Sequence, residues 1–375
     1  MLRSINDLPD IKGLRILVRA ALNAPVESGR VTDPYRLEKT LPTVSYLLAR
    51  GARVILTSHL SKDGASLQPM YEYMKSKIPL SFAQDIAGPA ARKAVDALKD
   101  GEALMLENVR LNPGEEANDE QFTREMASLA DIYVMEAFDV AHRKHAGVVG
   151  IPRFLPGYAG FQFMAEVEGL SPALSPESPS LAVIGGAKLV TKVKLIETLL
   201  KKYDHVFVGG AIVNAFYKAK GYEVGKSLVS GADHAKPMLE NSKILLPQEL
   251  IVENPAGSHE TIATEVGTED VIIDIAPAAI EKLSAITSKA RSILWNGPMG
   301  NFEKGYRGGT DALAKLIASS PAKSIVGGGD TLSSIQSLNL MEKFAFVSTA
   351  GGAMLDFLAN GTLPGIEALK NSKSL

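Results

Sequence analysis

The sequence predicts an α/β protein of two lobes, each built on a parallel sheet. Three observations carry that reading. Short apolar runs alternate with helical patterns along the whole chain, the signature of parallel strands joined by right-handed crossovers. Each run stops on either a cationic or a glycine-rich stretch, and in parallel sheets ligands bind beyond the carboxyl ends of the strands. Near the middle, Ser171–Ser180 (SPALSPESPS) holds three prolines and marks a linker. The expected division is therefore 1–170, 171–355 and a tail, 356–375, packing back on the first lobe.

Composition narrows the function. A chain of 375 residues has room for two well-filled cores. A net charge of -2 and a pI near 6.4 supply no basic field for nucleic acid. There is no cysteine, so disulfides, thiolate catalysis and cysteine-ligated zinc are excluded. The first residues, MLRSINDLPDIKGLR, lack an apolar signal region, and no apolar run reaches the length of a membrane span. A cytosolic protein without an anchor is expected.

In the first half, Arg15–Arg19, Arg53–Thr57, Ala103–Leu106 and Ile132–Val134 read as strands, with helical patterns such as Leu37–Arg50 and Asp119–Ala130 between them. The first strand is followed by Asn23 and Pro25, with Arg36 opening the next helix. The second is followed by Ser58, His59 and Lys62, the third by Glu107, Asn108 and Arg110. The fourth leads to Glu136, Asp139, His142, Arg143 and His145. Any one of these side chains alone reads as a solvated face. Four sets on one sheet edge make an anion site, since guanidinium forks match carboxylate and phosphate geometry. His142 and His145 have no acidic companion motif, and Arg143 and Lys144 beside them would repel a cation, so an anion contact or a core role is expected rather than a metal. Gly160–Leu170 reads as a helix leading into the linker.

The second half changes character. Ser180–Lys192 (SLAVIGGAKLVTK) is a buried-strand run, a Gly185-Gly186 turn and a helix start expected to carry Lys188 and Lys192 one turn apart on one face. Glycine lets backbone approach a ligand closely, and a helix start offers unpaired N–H groups, so the stretch suits a phosphate. Alone it would be an ordinary turn. The pattern recurs, however: His205–Val208 runs into Gly209-Gly210, Ser292–Trp295 into Asn296 and Gly297, Lys323–Val326 into Gly327, Gly328 and Gly329, and Ala345–Val347 into Gly351-Gly352. Five such ends would line a crevice for a flat base and a phosphate chain. Two familiar signatures are absent. Gly221–Ser227 has three residues between its glycines where a P-loop needs four, and Leu332 stands where the third glycine of G-x-G-x-x-G belongs. A standard P-loop or dinucleotide fold is therefore disfavoured.

These residues together resemble the phosphoglycerate kinase family along almost the whole chain. The matching stretches are VTDPYR ending at Arg36, SHL at 58–60, LENVR at 106–110, AHRKH at 141–145, GGAKLVTK at 185–192, YEVGKSL at 222–228, WNGPMGNFE at 295–303, GGGDT at 327–331 and STAGGA at 348–353. The resemblance implies two Rossmann-like lobes joined by a central helix and hinge, and a monomer in the cytoplasm. It implies reversible phosphoryl transfer between 1,3-bisphosphoglycerate and ADP, with Mg2+ accompanying ADP/ATP. It places Asn23, Arg36, His59, Lys62, Arg110 and Arg143 on the phosphoglycerate. Lys188, Lys192, Gly209, Gly210, Asn296, Glu303, Gly328, Asp330 and Thr331 fall on the nucleotide, with Glu303 on the ribose and Asp330 toward the metal. Arg36 and Lys192 are the implied catalytic pair, meeting the transferring group once the lobes close. Such chemistry asks mainly for positioning and charge neutralisation.

Several positions depart from the family pattern. Ala21 stands where an aspartate accepts from the substrate hydroxyl, Lys62 replaces an arginine, and Thr191 replaces an aspartate. Asp139 replaces the glycine of D-A-F-G, putting a carboxylate beside the basic cluster, and Ala276 replaces a turn glycine. The same departures also fit a non-catalytic paralogue that binds ADP or ATP, or one shifted to a substrate without the hydroxyl.

Overall fold

The computed structural model describes residues 2–60, 65–373 and 375. The chain forms two compact units, one comprising 1–167 and 362–375, the other 168–361. The boundary at 167/168 falls inside the helix Phe161–Leu170. The proline-rich stretch belongs to the second unit: Tyr203 donates its hydroxyl to the Ala173 carbonyl (3.0 Å) and Glu177 N–H donates to Ser292 Oγ (2.9 Å).

The first unit contains β1 (Arg15–Arg19), a small ribbon of β2 (Val26–Glu27) and β3 (Arg30–Val31), then β4 (Arg53–Thr57), β5 (Leu80–Phe82), β6 (Ala103–Met105), β7 (Ile132–Met135) and β8 (Gly157–Ala159). Its six-stranded sheet runs β5-β6-β4-β1-β7-β8, parallel throughout. β1, β4, β6 and β7 are where the apolar runs place them. β5 and β8 are additions, three residues each, too short to show a period. β1 and β7 are neighbours although five strands lie between them in the chain, so connections leave the sheet in opposite directions between them. That is the switch point, where a parallel sheet opens a crevice. The segment from 362 closes this unit. Gly365 N–H donates to Ala141 O (2.8 Å), and Ile366 and Leu369 of the helix Pro364–Lys370 are buried.

The second unit contains β9 (Ser180–Ile184), β10 (His205–Val208), β11 (Ile244–Leu245), β12 (Glu249–Asn254), β13 (Gly257–Ile262), β14 (Val271–Ile275), β15 (Ser292–Asn296), β16 (Lys323–Gly327) and β17 (Phe346–Ser348). The main sheet is again parallel, in the order β11-β10-β9-β15-β16-β17. Numbered along the sheet's own strands this is 3-2-1-4-5-6, the doubly wound order of dinucleotide folds. The missing glycine fingerprint argued against such a fold; the fingerprint is absent, yet the topology is present. The switch point lies between β9 and β15, each fully apolar in the sheet centre: Leu181, Val183, Ile293 and Trp295 are all buried. β12, β13 and β14 form a separate antiparallel sheet, which no strand–helix alternation in the sequence marks. The P-loop-like Gly221–Ser227 is a connector to it. Gly225 has φ +54, Lys226 pairs with Glu269 (2.5 Å), and Ser227 Oγ accepts from Ile272 N–H (2.8 Å). Among the described residues no helix is long and apolar enough to cross a membrane.

Candidate active site

In the second unit three loops at the carboxyl edge are pressed backbone to backbone. Gly185 N–H donates to Asn296 O (2.8 Å), Gly186 N–H to Pro298 O (3.1 Å), and Ile212 N–H to Gly186 O (3.0 Å). A Cβ on Gly185 would lie 2.2 Å from Pro298 O, and one on Gly209 would lie 2.5 Å from Met299 Sδ. Gly210 has φ +61, and a Cβ there would lie 2.6 Å from Gly186 N. Glycine is thus required by contact as well as by conformation. Gly210→Ala is expected to cost about 1–3 kcal/mol in stability, read by urea unfolding.

Lys192 is the centre of this arrangement. Its amine donates to Gly185 O (2.6 Å) and Asn296 Oδ1 (3.1 Å), and the residue is 9% exposed. Burial pushes its pKa down to about 8. Among the described residues it makes no ion pair, so a buried cation is held by two neutral oxygens. Asn296 is oriented by donating Nδ2–H to Gly327 O (3.1 Å), and buried Thr331 accepts the Gly297 N–H on Oγ1 (3.1 Å). Gly328, with φ +109, turns β16 into the helix Gly329–Ser337, whose first turn carries Asp330. A cleft of about 280 Å³ opens beside these loops, with Gly186, Gly210, Glu303 and Asp330 in its wall. Asp330 is raised in pKa by burial and then by the charge of Glu303.

One expectation is overturned here. Lys188 and Lys192 do not share a helix face, because the helix begins only at Val193. Lys188 is extended (φ -124, ψ 111) and exposed, while Lys192 turns inward just before the helix. A 3-10 turn, Leu189–Thr191, separates them. Thr191 is exposed and donates its hydroxyl to Lys188 O (2.9 Å). Ala276, in place of a turn glycine, has φ -61, which an alanine adopts without strain.

In the first unit the strand ends assemble a cationic cluster. His59 is 3% exposed; burial, then Arg19, Arg110, Arg143 and Arg36, hold its pKa far below the usual imidazole range. It is neutral at any physiological pH, and its Nδ1 has no partner among the described residues. Arg36 Nη1 meets Asp139 Oδ2 at 3.4 Å, and Arg110 Nε meets Glu116 Oε1 at 3.2 Å. The carboxylate flagged by the departure at 139 therefore sits directly on Arg36. Asn23 is half-buried at the end of β1, with its Oδ1 unpartnered among the described residues. Lys62 lies outside the described residues.

Ser58 and Asn108, which the sequence places at the strand ends, are positioning residues, whereas Glu115 carries no sequence signal. Ser58 Oγ accepts Leu22 N–H (3.0 Å) and donates to Ala20 O (2.9 Å), tying the ends of β1 and β4 together. Asn108 Oδ1 accepts from both Leu60 N–H and Arg110 N–H (3.1 Å each), setting His59's loop against Arg110. Arg19, fully buried, pairs with buried Glu115 at 3.5 Å, and Glu115 also accepts Gly147 N–H (2.8 Å). Among the described residues no group of three or more His, Asp or Glu side chains is arranged to hold a metal ion.

A cationic strand edge in one unit, and a glycine-walled cleft beside the loops that hold a buried lysine in the other, suit a phosphotransferase. Comparison with known proteins gives the particular kind. The family model described as phosphoglycerate kinase matches residues 5–361. Phosphoglycerate kinase of Moorella thermoacetica is 40% identical over 387 aligned positions, covering 98% of each chain, and that of a Roseiflexus species is 40% identical, covering 99% of each. The structure superposes on phosphoglycerate kinase from Coxiella burnetii with a TM-score of 0.85 at 36% identity, covering 100% of both chains. For the enzyme from Pyrococcus horikoshii the TM-score is 0.88 at 31% identity, covering 99% and 98%. The chain belongs to the phosphoglycerate kinase family.

Proposed function

We propose that the protein transfers a phosphoryl group reversibly between 1,3-bisphosphoglycerate and ADP, giving 3-phosphoglycerate and ATP, as a cytoplasmic monomer. The observation that carries this reading is Lys192, a buried cation with no carboxylate partner among the described residues, held on Gly185 next to the Gly186 that lines the cleft. An unpaired buried charge is expensive, and a polyphosphate would supply the missing counter-charge.

In the ATP-consuming direction a carboxylate oxygen of 3-phosphoglycerate bonds to the γ-phosphorus as the bond to the β,γ-bridging oxygen breaks. The carboxylate needs no base to remove a proton. Arg36, Arg110 and Arg143 bind the acceptor's anionic groups; neutral His59 adds an N–H, and Asn23 a polar contact. Lys62 would add charge from outside the described residues. Arg36 and Lys192 are the catalytic cations, each neutralising charge on the group in transfer. Gly209, Gly210 and Gly328 frame the nucleotide, Asn296 and Thr331 hold its phosphate loops, and Lys188 approaches from solvent. Glu303 takes the ribose. Asp330 suits Mg2+ bound with ADP/ATP, because Mg2+ is usually held by one or two carboxylates together with substrate phosphates. Bound there, the ion supplies charge neutralisation on the phosphate oxygens.

The test is an ATP-consumption assay with 3-phosphoglycerate and Mg2+. Wild type should turn over, and Arg36→Ala should lower kcat by about 10²–10³. A wild type that binds ADP and never consumes ATP would refute the reading.

A further inference from the structure

We infer that Asp139 is an internal counter-ion for Arg36, a carboxylate that an anionic acceptor must displace to use that arginine, so that Asp139 sets how tightly the acceptor binds. The inference rests on the acceptor edge of the proposed function and adds what tunes it.

Arg36 lies in the first turn of the helix Tyr35–Ala49, at the positive end of the helix dipole, where a cation is short of negative charge. Asp139 lies in the turn Phe138–Val140 that follows β7. The two meet as Nη1 and Oδ2 at 3.4 Å, with side chains 33% and 11% exposed. Among the described residues Arg36 is the only partner of this carboxylate, whose Oδ1 has none. The guanidinium is thus open to solvent and to a ligand, while its counter-ion is largely covered.

Two features make the contact releasable. It runs through one nitrogen and is longer than a strong charge-assisted bond, which lies at about 2.7–2.9 Å. A pair built for the fold looks different: Arg15 grips Asp131 with both Nε (3.2 Å) and Nη2 (2.6 Å). The second feature is unequal freedom. Phe138 and Val140, on either side of Asp139, are each 2% exposed and anchor its backbone in the core, whereas an arginine has a long side chain with many rotamers. In an exchange of partners the arginine moves and Asp139 stays. An acceptor phosphate or carboxylate offers Arg36 two oxygens in fork geometry. Giving up the old pair subtracts its worth from the new one, in the ground state and the transition state alike, so the effect falls on affinity rather than on the chemical step. Asp139 is thus a positioning residue that acts through Arg36. The glycine of the family pattern at this position would offer no such competitor.

Full-length wild type, Asp139→Asn and Asp139→Gly are titrated calorimetrically with 3-phosphoglycerate, so that the result does not depend on turnover. The backbone at 139 is not left-handed, so neither replacement meets strain, and thermal melts check that both variants are folded. Both should bind about 5-fold more tightly than wild type, the upper end for a partly exposed ion pair. In the kinase assay the gain should appear as a lower KM rather than a higher kcat. In an Arg36→Met background Asp139→Asn should add nothing. A carboxylate that merely props up the site would give weaker binding in both variants; that result, or unchanged affinity, overturns the inference. So does an equal gain in the Arg36→Met background, which would show a general field in place of an effect through Arg36. Failure of wild type and both variants to bind 3-phosphoglycerate overturns the inference together with the acceptor edge itself. Tighter binding without turnover would support the inference and refute only the catalytic reading.

Discussion

Lys192→Met is expected to lower turnover by about 10²–10³ while leaving the protein more stable. Both effects come from one fact. The amine is charged at neutral pH although burial has brought its pKa from 10.5 to about 8. That depression corresponds to about 3 kcal/mol of destabilisation at pH 7. Methionine fills the volume without the charge, though it leaves Asn296 Oδ1 and Gly185 O without their donor. A net gain of about 1 kcal/mol, or about 2–4 °C in melting temperature, is the expected balance. The pH dependence has a definite sign. Between about pH 8 and 10.5 the unfolded chain binds more protons at this residue than the folded one, so this residue's contribution to wild-type stability rises with pH across that window. The methionine variant lacks the rise. In the unliganded enzyme the cationic form is lost above about pH 8, and bound phosphates should shift that loss upward. Calorimetric melts of both proteins from pH 7 to 10, beside the kinase assay, check all three points. A methionine variant that melts well below wild type would show that the amine's hydrogen bonds outweigh its desolvation.

The largest effect on stability is expected in the other unit, at Glu115→Ala. Arg19 and Glu115 are 0% and 1% exposed and meet at 3.5 Å, behind the cationic edge. Removing the carboxylate leaves a buried guanidinium with, among the described residues, only the Ala20 carbonyl to receive it (3.3 Å), and takes the acceptor from Gly147 N–H. Losing one partner of a buried pair costs about 3–5 kcal/mol, whereas replacing both by apolar residues is often neutral. Urea unfolding should therefore show Glu115→Ala strongly destabilised and Arg19→Met/Glu115→Leu substantially restored. The double variant removes both charges of the pair together, so the net charge behind the cationic edge is unchanged. Substrate binding should therefore return with stability, and a binding loss that persists in the restored protein would show that the pair also positions that edge.

Which features could be foreseen follows from how local their causes are. β1, β4, β9, β10 and β15 are central strands buried on both faces, so their apolar runs are nearly continuous and their ends are marked by charge or glycine. β5, β8 and β11 have two or three residues each, and their existence is decided by neighbours far away in the chain. β13 is exposed almost throughout, which leaves no alternating pattern to read. The glycine cleft was legible because close backbone approach demands glycine. The orientation of Lys192 was not, since i, i+4 spacing implies a shared face only if a helix already spans both residues, and here it starts one residue later. The departure at 139 was legible as a carboxylate near cations. That it lands on Arg36 itself depends on β1 and β7 being sheet neighbours, which the sequence does not state.

The first unit is assembled from two stretches separated by all 194 residues of 168–361. Arg3 reaches Ser372 Oγ (2.7 Å) and the Lys373 carbonyl (2.6 Å), and Gly157 N–H donates to the same serine (3.1 Å). A ribosome adding about 5–20 residues per second makes the second stretch roughly 10–40 s after the first. During that interval residues 1–167 have every strand of their sheet but lack the helix that covers Ala141 and the edge at β8. The second unit, contiguous in the chain, has no such wait. Vectorial synthesis thus favours completion of the second unit before the first, even though the first begins to emerge earlier.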